Sequence, residues 1–326
     1  MRRQNEKYGV FINNSPYALL IYVLLNKNWK LDDYVFTDRM PLIIQKRLRT
    51  FGIRVFSQKN VGGCKNGFFG KVLYRLSIYF EFLRFLFFIA GRNYSSAVGN
   101  DELVFALPFL KKGMTLIEDG TINYQGKEFF KKRRRKALLY FPIRFFYGID
   151  YLPFGYSPFV KKIILTGLQS VDQEIAQKVQ LINLSVLWQQ KTEEEKKEIL
   201  LLFGMQNGFL SRLQKYPVLL LTQHLPIPEK DKIAIYNRLL EGIDYKKVLI
   251  KTHYAERTDY QRFFKDSAVF CEPIPLQLFD ILGYKPQKVI TISSTAALHY
   301  KDMGVEVVFA GSRIDPRIEK VTGKIM

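Results

Sequence analysis

The chain has 326 residues, 48% of them hydrophobic, and its 25% of charged residues are spread along its length; this excludes a disordered protein and suits two ordinary domains. Lys and Arg number 50 against 30 Asp and Glu, a formal charge of +20, so the chain calls for a polyanionic neighbour: nucleic acid, anionic lipid or an acidic substrate. Its two cysteines, Cys64 and Cys271, make neither a metal-ligand spacing nor a disulfide framework, and a reducing, cytoplasmic setting fits them.

The opening stretch, "MRRQNEKYGVFINN", is basic, but polar residues interrupt it too early for a signal-peptide core. The runs "YGVFINN", "DYVFTD", "IRVFSQ", "ELVFAL" and "MTLIEDG" predict buried strands, several of them separated by helix-length stretches such as "YALLIYVLLNK". The greasiest segment, "RLSIYFEFLRFLFFIAGR" (75–92), contains Glu81 and Arg84 and has no unbroken apolar run near 18 residues. It predicts an amphipathic or buried helix and not a membrane span.

Residues 131–162, "KKRRRKALLYFPIRFFYGIDYLPFGYSPFVKK", hold nine Lys or Arg, one Asp and nine aromatics. A solvated basic loop followed by core aromatics would account for them. So would an interface with anionic lipid, basic groups meeting headgroups and aromatics sitting at the boundary. Nucleic acid ranks third, because no nucleic-acid fold signature accompanies the run.

Next comes a polar helical stretch, "QQKTEEEKKEILLLFG", and a domain boundary is placed near residue 188, giving domains 1–188 and 189–326. Beyond it, "VLLLTQ", "KVLIK", "AVFCEP", "KVITIS" and "VEVVFAG" predict strands. A helix with Ile233, Tyr236, Leu239 and Leu240 on one face lies between the first two, and "PLQLFDILGY" and "STAALHYKDMG" lie between later ones. The alternation predicts an α/β protein: two Rossmann-like domains with mainly parallel sheets, facing a cleft. Ligands of such sheets bind beyond the C-terminal strand ends, so those ends hold the candidate residues.

Three polar clusters stand there: Glu118-Asp119-Gly120, His253 with Lys251 close by, and Ser293-Ser294-Thr295. An Asp-Gly pair fits a plain solvated turn as well as a presented base. The serines fit plain helix N-caps as well as a phosphate site. A lone histidine is more often structural, though a protonated imidazole after a strand can donate to a phosphate or deliver a proton to a leaving oxygen. No glycine-rich phosphate loop and no metal-ligand spacing are visible, so neither a metal nor a cofactor is expected.

The Asp-Gly turn, the Lys-x-His strand end and the later Ser-Ser/Thr turn, in that order, resemble the bacterial sialyltransferases of glycosyltransferase family 52. "INNSPYALLIY", "LLLTQHL" and "PIPLQLFDILGY" extend the resemblance, scattered over most of the chain. It implies the GT-B fold and inverting, metal-independent transfer of sialic acid from CMP-sialic acid to a glycan or glycolipid acceptor, in lipooligosaccharide or capsule synthesis. It makes Asp119 the general base and His253 the residue meeting the CMP phosphate. Ser293, Ser294 and Thr295 would hold that phosphate, with Thr222 and Gln223 along the nucleotide. Two positions depart from the pattern. Tyr254 stands where a proline usually comes after the histidine, and Gln277 stands where a glutamate often meets the ribose. The expected setting is cytoplasmic and peripheral to the inner membrane, through residues 131–162, and a homodimer is compatible with it. The alternatives are a transferase of glucose or N-acetylhexosamine from a UDP donor, and a non-enzymatic membrane- or polyanion-binding protein.

Overall fold

The short apolar runs build two wholly parallel sheets. The computed structural model describes residues 7–59, 67–134, 143, 146–148, 152–205, 208–225 and 227–322. Residues 135–142, 144–145 and 149–151 of the basic-aromatic stretch, and Cys64, lie outside them. The chain divides into two units, Met1–Lys196 and Lys197–Met326, the break falling inside the helix Glu193–Phe203.

In the first unit, strands β1 (Tyr8–Ile12), β2 (Asp33–Phe36), β3 (Val55–Ser57), β4 (Tyr94–Gly99), β5 (Met114–Ile117), β6 (Val160–Leu165) and β7 (Val179–Leu181) form one sheet, ordered β3-β2-β1-β4-β5-β6-β7. Helices α1 (Pro16–Leu25), α2 (Leu42–Thr50) and α3 (Gly67–Ile89) connect the early strands. The start of α1 is written in the sequence: Pro16 takes the first helical position, and the Ser15 side chain accepts from the Ala18 N–H at 3.4 Å. The helix Leu184–Gln189 packs on α1, which ties the residues around 188 to this unit. Phe82 and Phe85 of α3 meet Phe105 and Phe109 in an aromatic core against Val10, Ile12 and Val35 of the sheet.

Strands β6 and β7 fall in no run expected to be a strand, and two further features differ from the expectation drawn from sequence. "ELVFAL" is no strand: Val104–Ala106 is a 3-10 turn that runs on into the helix Leu107–Leu110. A short buried apolar run carries the same signal in either state, and here Pro108 opens a helical turn. The strand actually used is "YSSAVG", β4, whose serines hide it from a hydrophobicity pattern although it pairs with β1 and β5. Its last residue, Gly99, has φ +141° and lies so close to the Ile12 carbonyl that a Cβ would collide with it. Only glycine lets the end of β4 close on β1 there.

In the second unit, β8 (Val218–Leu221), β9 (Val248–Lys251), β10 (Ala268–Phe270), β11 (Lys288–Thr291) and β12 (Glu306–Phe309) are ordered β10-β9-β8-β11-β12. All five coincide with apolar runs expected to be strands. The helix Glu229–Leu239 buries Ile233 and Tyr236 against Leu220, Val248 and Ile250, on the face its periodicity marks. In both sheets the chain's direction of winding reverses once, between β1 and β4 and between β8 and β11. Such a reversal opens a crevice at the C-terminal strand ends, where ligands of doubly wound sheets bind.

Candidate active site

Residues directly after β1, β4 and β5 line the first crevice. Asn100, next after β4, donates from Nδ2 to the Asp119 carboxylate at 3.3 Å, and the Ser15 hydroxyl, just after β1, also bonds it. The Asp119 N–H is fixed by the Asn123 side-chain oxygen at 2.6 Å. Burial pushes the Asp119 carboxyl up to about 6; the Ser15 and Asn100 donors oppose this, and Glu102 adds a smaller push in the same direction as burial. Gly120, with φ +96°, turns the chain immediately afterwards.

Glu118 faces the other way, as alternation at a strand end requires. It is 0% exposed and accepts from the hydroxyls of Tyr17 (3.2 Å), Tyr124 (3.0 Å) and Thr166 (2.9 Å) and from the Thr166 N–H (2.5 Å). Its oxygens are spent on the fold. Asp101 is likewise committed: burial pushes it up to about 6, and it accepts from the N–H groups of Phe154 and Gly155 at 2.7 and 3.3 Å. Of these three carboxylates, Asp119 alone is partly exposed.

The second crevice gathers four of the residues singled out from sequence. Gln223, after β8, accepts through Oε1 from both the Ser293 N–H (2.8 Å) and the Ser293 hydroxyl (3.1 Å), so it ties β8 to β11 across the winding reversal. Thr222 accepts the His253 N–H at 3.2 Å and donates to Glu256 at 2.6 Å, while Lys232 pairs with Glu256 at 3.0 Å. Thr222 and Gln223 therefore brace the site. Ser294 begins the turn Thr295–Ala297 without a side-chain capping bond, and its N–H goes to Thr291 Oγ1 at 3.0 Å. Among the described residues its hydroxyl makes no hydrogen bond, and Thr295 is exposed. Gln277 is buried in the first turn of the helix Leu276–Ile281 and forms no hydrogen bond to this group.

His253 is half-buried. Its Nδ1 accepts from the Ala255 N–H at 3.2 Å, which places the ring proton on Nε2. Burial, and then the charges of Lys251 and His224, push its pKa down to about 4. A pKa near 4 favours the neutral ring near pH 7, with its proton on Nε2, where the sequence alone suggested a protonated imidazole. Lys251 is not offered to a ligand: its Nζ donates to the carbonyls of Thr252 and Glu272 at 2.9 and 3.0 Å, and burial lowers its pKa to about 8. Tyr254, in the usual proline position, stacks on the His253 ring with centroids 4.5 Å apart. Among the described residues, no group of three His, Cys, Asp or Glu is placed to hold a metal ion.

Asn100, Asn123, Lys232 and Glu256 are candidate site residues that the sequence motifs do not single out; Ser15 stands in the quoted "INNSPYALLIY" but is given no role there. Ser15 and Asn100 carry one usable signal, a polar residue at a strand end, but Asn100 ends a strand that hydrophobicity conceals.

Two doubly wound parallel-sheet units, one with a partly exposed carboxylate at a strand end and the other with a histidine and a serine turn, are the α/β arrangement expected of a GT-B fold. The sequence profile of glycosyltransferase family 52 matches residues 69–316, and the chain belongs to that family. An uncharacterized protein of Haemophilus influenzae is 39% identical over 232 residues, 70% of this chain and 72% of that one. A 2,6-sialyltransferase of a Photobacterium species, solved as a ternary complex with the donor product CMP and the acceptor lactose, has a similar fold. Its TM-score is 0.54 at 10% identity, over 89% of this chain and 69% of that one. The GT-B domain of a Photobacterium damselae sialyltransferase aligns at TM-score 0.49 and 10% identity, over 89% and 87%.

Proposed function

We propose that the protein transfers sialic acid from CMP-sialic acid to a terminal sugar hydroxyl of a bacterial surface glycan, lipooligosaccharide or capsule, in one inverting, metal-independent displacement. The observation that supports this best is Asp119, a partly exposed carboxylate at a strand end whose pKa of about 6 suits a base near neutrality. In the proposed step Asp119 takes the acceptor hydroxyl's proton as that oxygen bonds to the anomeric carbon of the sugar. The bond from that carbon to the CMP phosphate oxygen breaks, and CMP leaves with the electron pair. His253 donates from Nε2 to the departing phosphate, and the arriving negative charge raises the imidazole's pKa and strengthens that donation. The hydroxyls of Ser294 and Thr295 add donors to the same phosphate, and Ser293 with Gln223 holds their turn in place. No cofactor is invoked. The Photobacterium enzyme's CMP and lactose are a donor product and an acceptor of the kinds proposed here.

A thermal-shift panel of CMP, UDP, GDP and ADP tests the donor, because a ligand that binds the native state stabilises it by mass action. CMP alone should raise the melting temperature, and CMP-sialic acid should then be consumed in the presence of lactose. A shift with UDP only would overturn the donor assignment in favour of a hexose or N-acetylhexosamine transferase.

A further inference from the structure

The turn after β9 holds His253 tightly by its main chain and loosely by its ring. The His253 N–H donates to Thr222 Oγ1 at 3.2 Å, and its carbonyl accepts the Glu256 N–H at 2.9 Å. The buried Glu256 carboxylate, bonded by Lys232 at 3.0 Å and by Thr222 at 2.6 Å, anchors the far end of the turn. Among the described residues the imidazole has one hydrogen bond, from the Ala255 N–H to Nδ1 at 3.2 Å, inside the same turn. That bond selects the Nε2–H tautomer but sets the ring plane poorly, because rotation about a histidine's Cβ–Cγ bond has broad minima. A contact on the ring face fixes such a plane, and Tyr254 supplies it: the two rings stack with centroids 4.5 Å apart and planes 28° apart. Neighbouring side chains of a strand point to opposite faces; the turn at Tyr254–Ala255 brings these two together. Tyr254 is 38% exposed and takes no part in the hydrophobic core of this unit.

We propose that Tyr254 is a positioning residue: its ring holds the His253 imidazole in the plane from which Nε2–H reaches the departing phosphate. The role rests on His253 being the group that meets the CMP phosphate. A hydrogen bond weakens steeply as its donor tilts out of line, so a ring free to rock would spend part of its time misaligned. The polar neighbours do not supply the constraint. Lys251 turns to the carbonyls of Thr252 and Glu272, and Gln223 holds Ser293. Negative charge builds on the phosphate as it departs, so misalignment costs the transition state more than the bound donor. Loss of the stack should therefore show in kcat and not in KM.

Tyr254→Leu and Tyr254→Phe in the full chain test the proposal, read by NMR of the His253 ring and by steady-state transfer to lactose. In the free wild type the tyrosine ring current should displace the His253 ring-proton signals. Tyr254→Leu should lose that displacement and Tyr254→Phe should keep it. In Tyr254→Leu, kcat should fall about 3–10-fold, the worth of an aromatic pair, while KM for CMP-sialic acid stays within about 2-fold. Tyr254→Phe should restore kcat, and neither change should move the melting temperature. Three results would each overturn the proposal: equal ring shifts in the wild type and Tyr254→Leu, wild-type kcat in Tyr254→Leu, or an equal loss of kcat in Tyr254→Phe, which would give the role to the hydroxyl. A wild type that neither binds CMP nor transfers sialic acid would sink the donor reading instead. The ring shifts need no donor, and they would still decide whether Tyr254 sets the imidazole plane.

Discussion

The two crevices are the same topological device, yet they hold their ionisable groups in opposite ways. In the first, burial raises the Asp119 pKa to about 6 while two neutral donors, Ser15 and Asn100, keep ionisation within reach. In the second, burial and the Lys251 charge lower His253 to about 4, the Ser293 hydroxyl is held by Gln223, and the Thr222 hydroxyl is held by Glu256. One side is built to gain a proton and the other to present donors that stay neutral until an anion arrives. The fold sets where groups stand; the local burial and donor count set what they can do.

The contrast breaks hardest at Asp119. Asp119→Asn keeps shape but removes the proton acceptor, and transfer should fall by roughly 10²–10⁴-fold with CMP affinity unchanged. The neighbouring Glu118→Gln should instead leave the rate near wild type. It should lower stability by about 1–3 kcal/mol, because its new NH₂ faces donors that the carboxylate satisfied. Steady-state transfer and denaturant unfolding, measured on both variants, separate the two; equal loss of rate would undo the assignment of roles.

Ser294→Ala sharpens the other half. Losing one hydrogen bond to a charged phosphate should weaken CMP binding by about 1.5–3 kcal/mol, read by calorimetric titration, with no change in melting temperature of the free protein. Unchanged affinity would leave Ser294 as the residue that merely starts its turn.

The second unit is largely legible in the sequence because each strand is an apolar run bounded by polar residues, and the candidate residues there follow the runs "VLLL", "VLIK" and "VITI". Asp119 is legible for the same reason. The donors that tune it are not, since Asn100 comes after a serine-containing strand that a hydrophobicity pattern does not register. The bracing roles of Gln223 and Thr222 depend on pairings across 70 and 31 residues, which spacing does not encode. Nor does sequence show that Lys251 turns to main-chain carbonyls, a choice made by its burial.

The claim that Asp119 is the base is tested most directly by the pH dependence of kcat/KM for sialyl transfer. A carboxyl raised from its ordinary 3.8 to about 6 costs the fold upon ionising, so its stabilising contribution is complete below 3.8 and lost as pH rises through 6. Catalysis needs the ionised form and should therefore rise through a single acidic limb with midpoint near 6, then level off. His253, lowered to about 4 in the free enzyme, titrates below that limb. The residual activity of Asp119→Asn should lack the limb. A profile flat through that range in the wild type, or the same limb persisting in Asp119→Asn, would contradict the account.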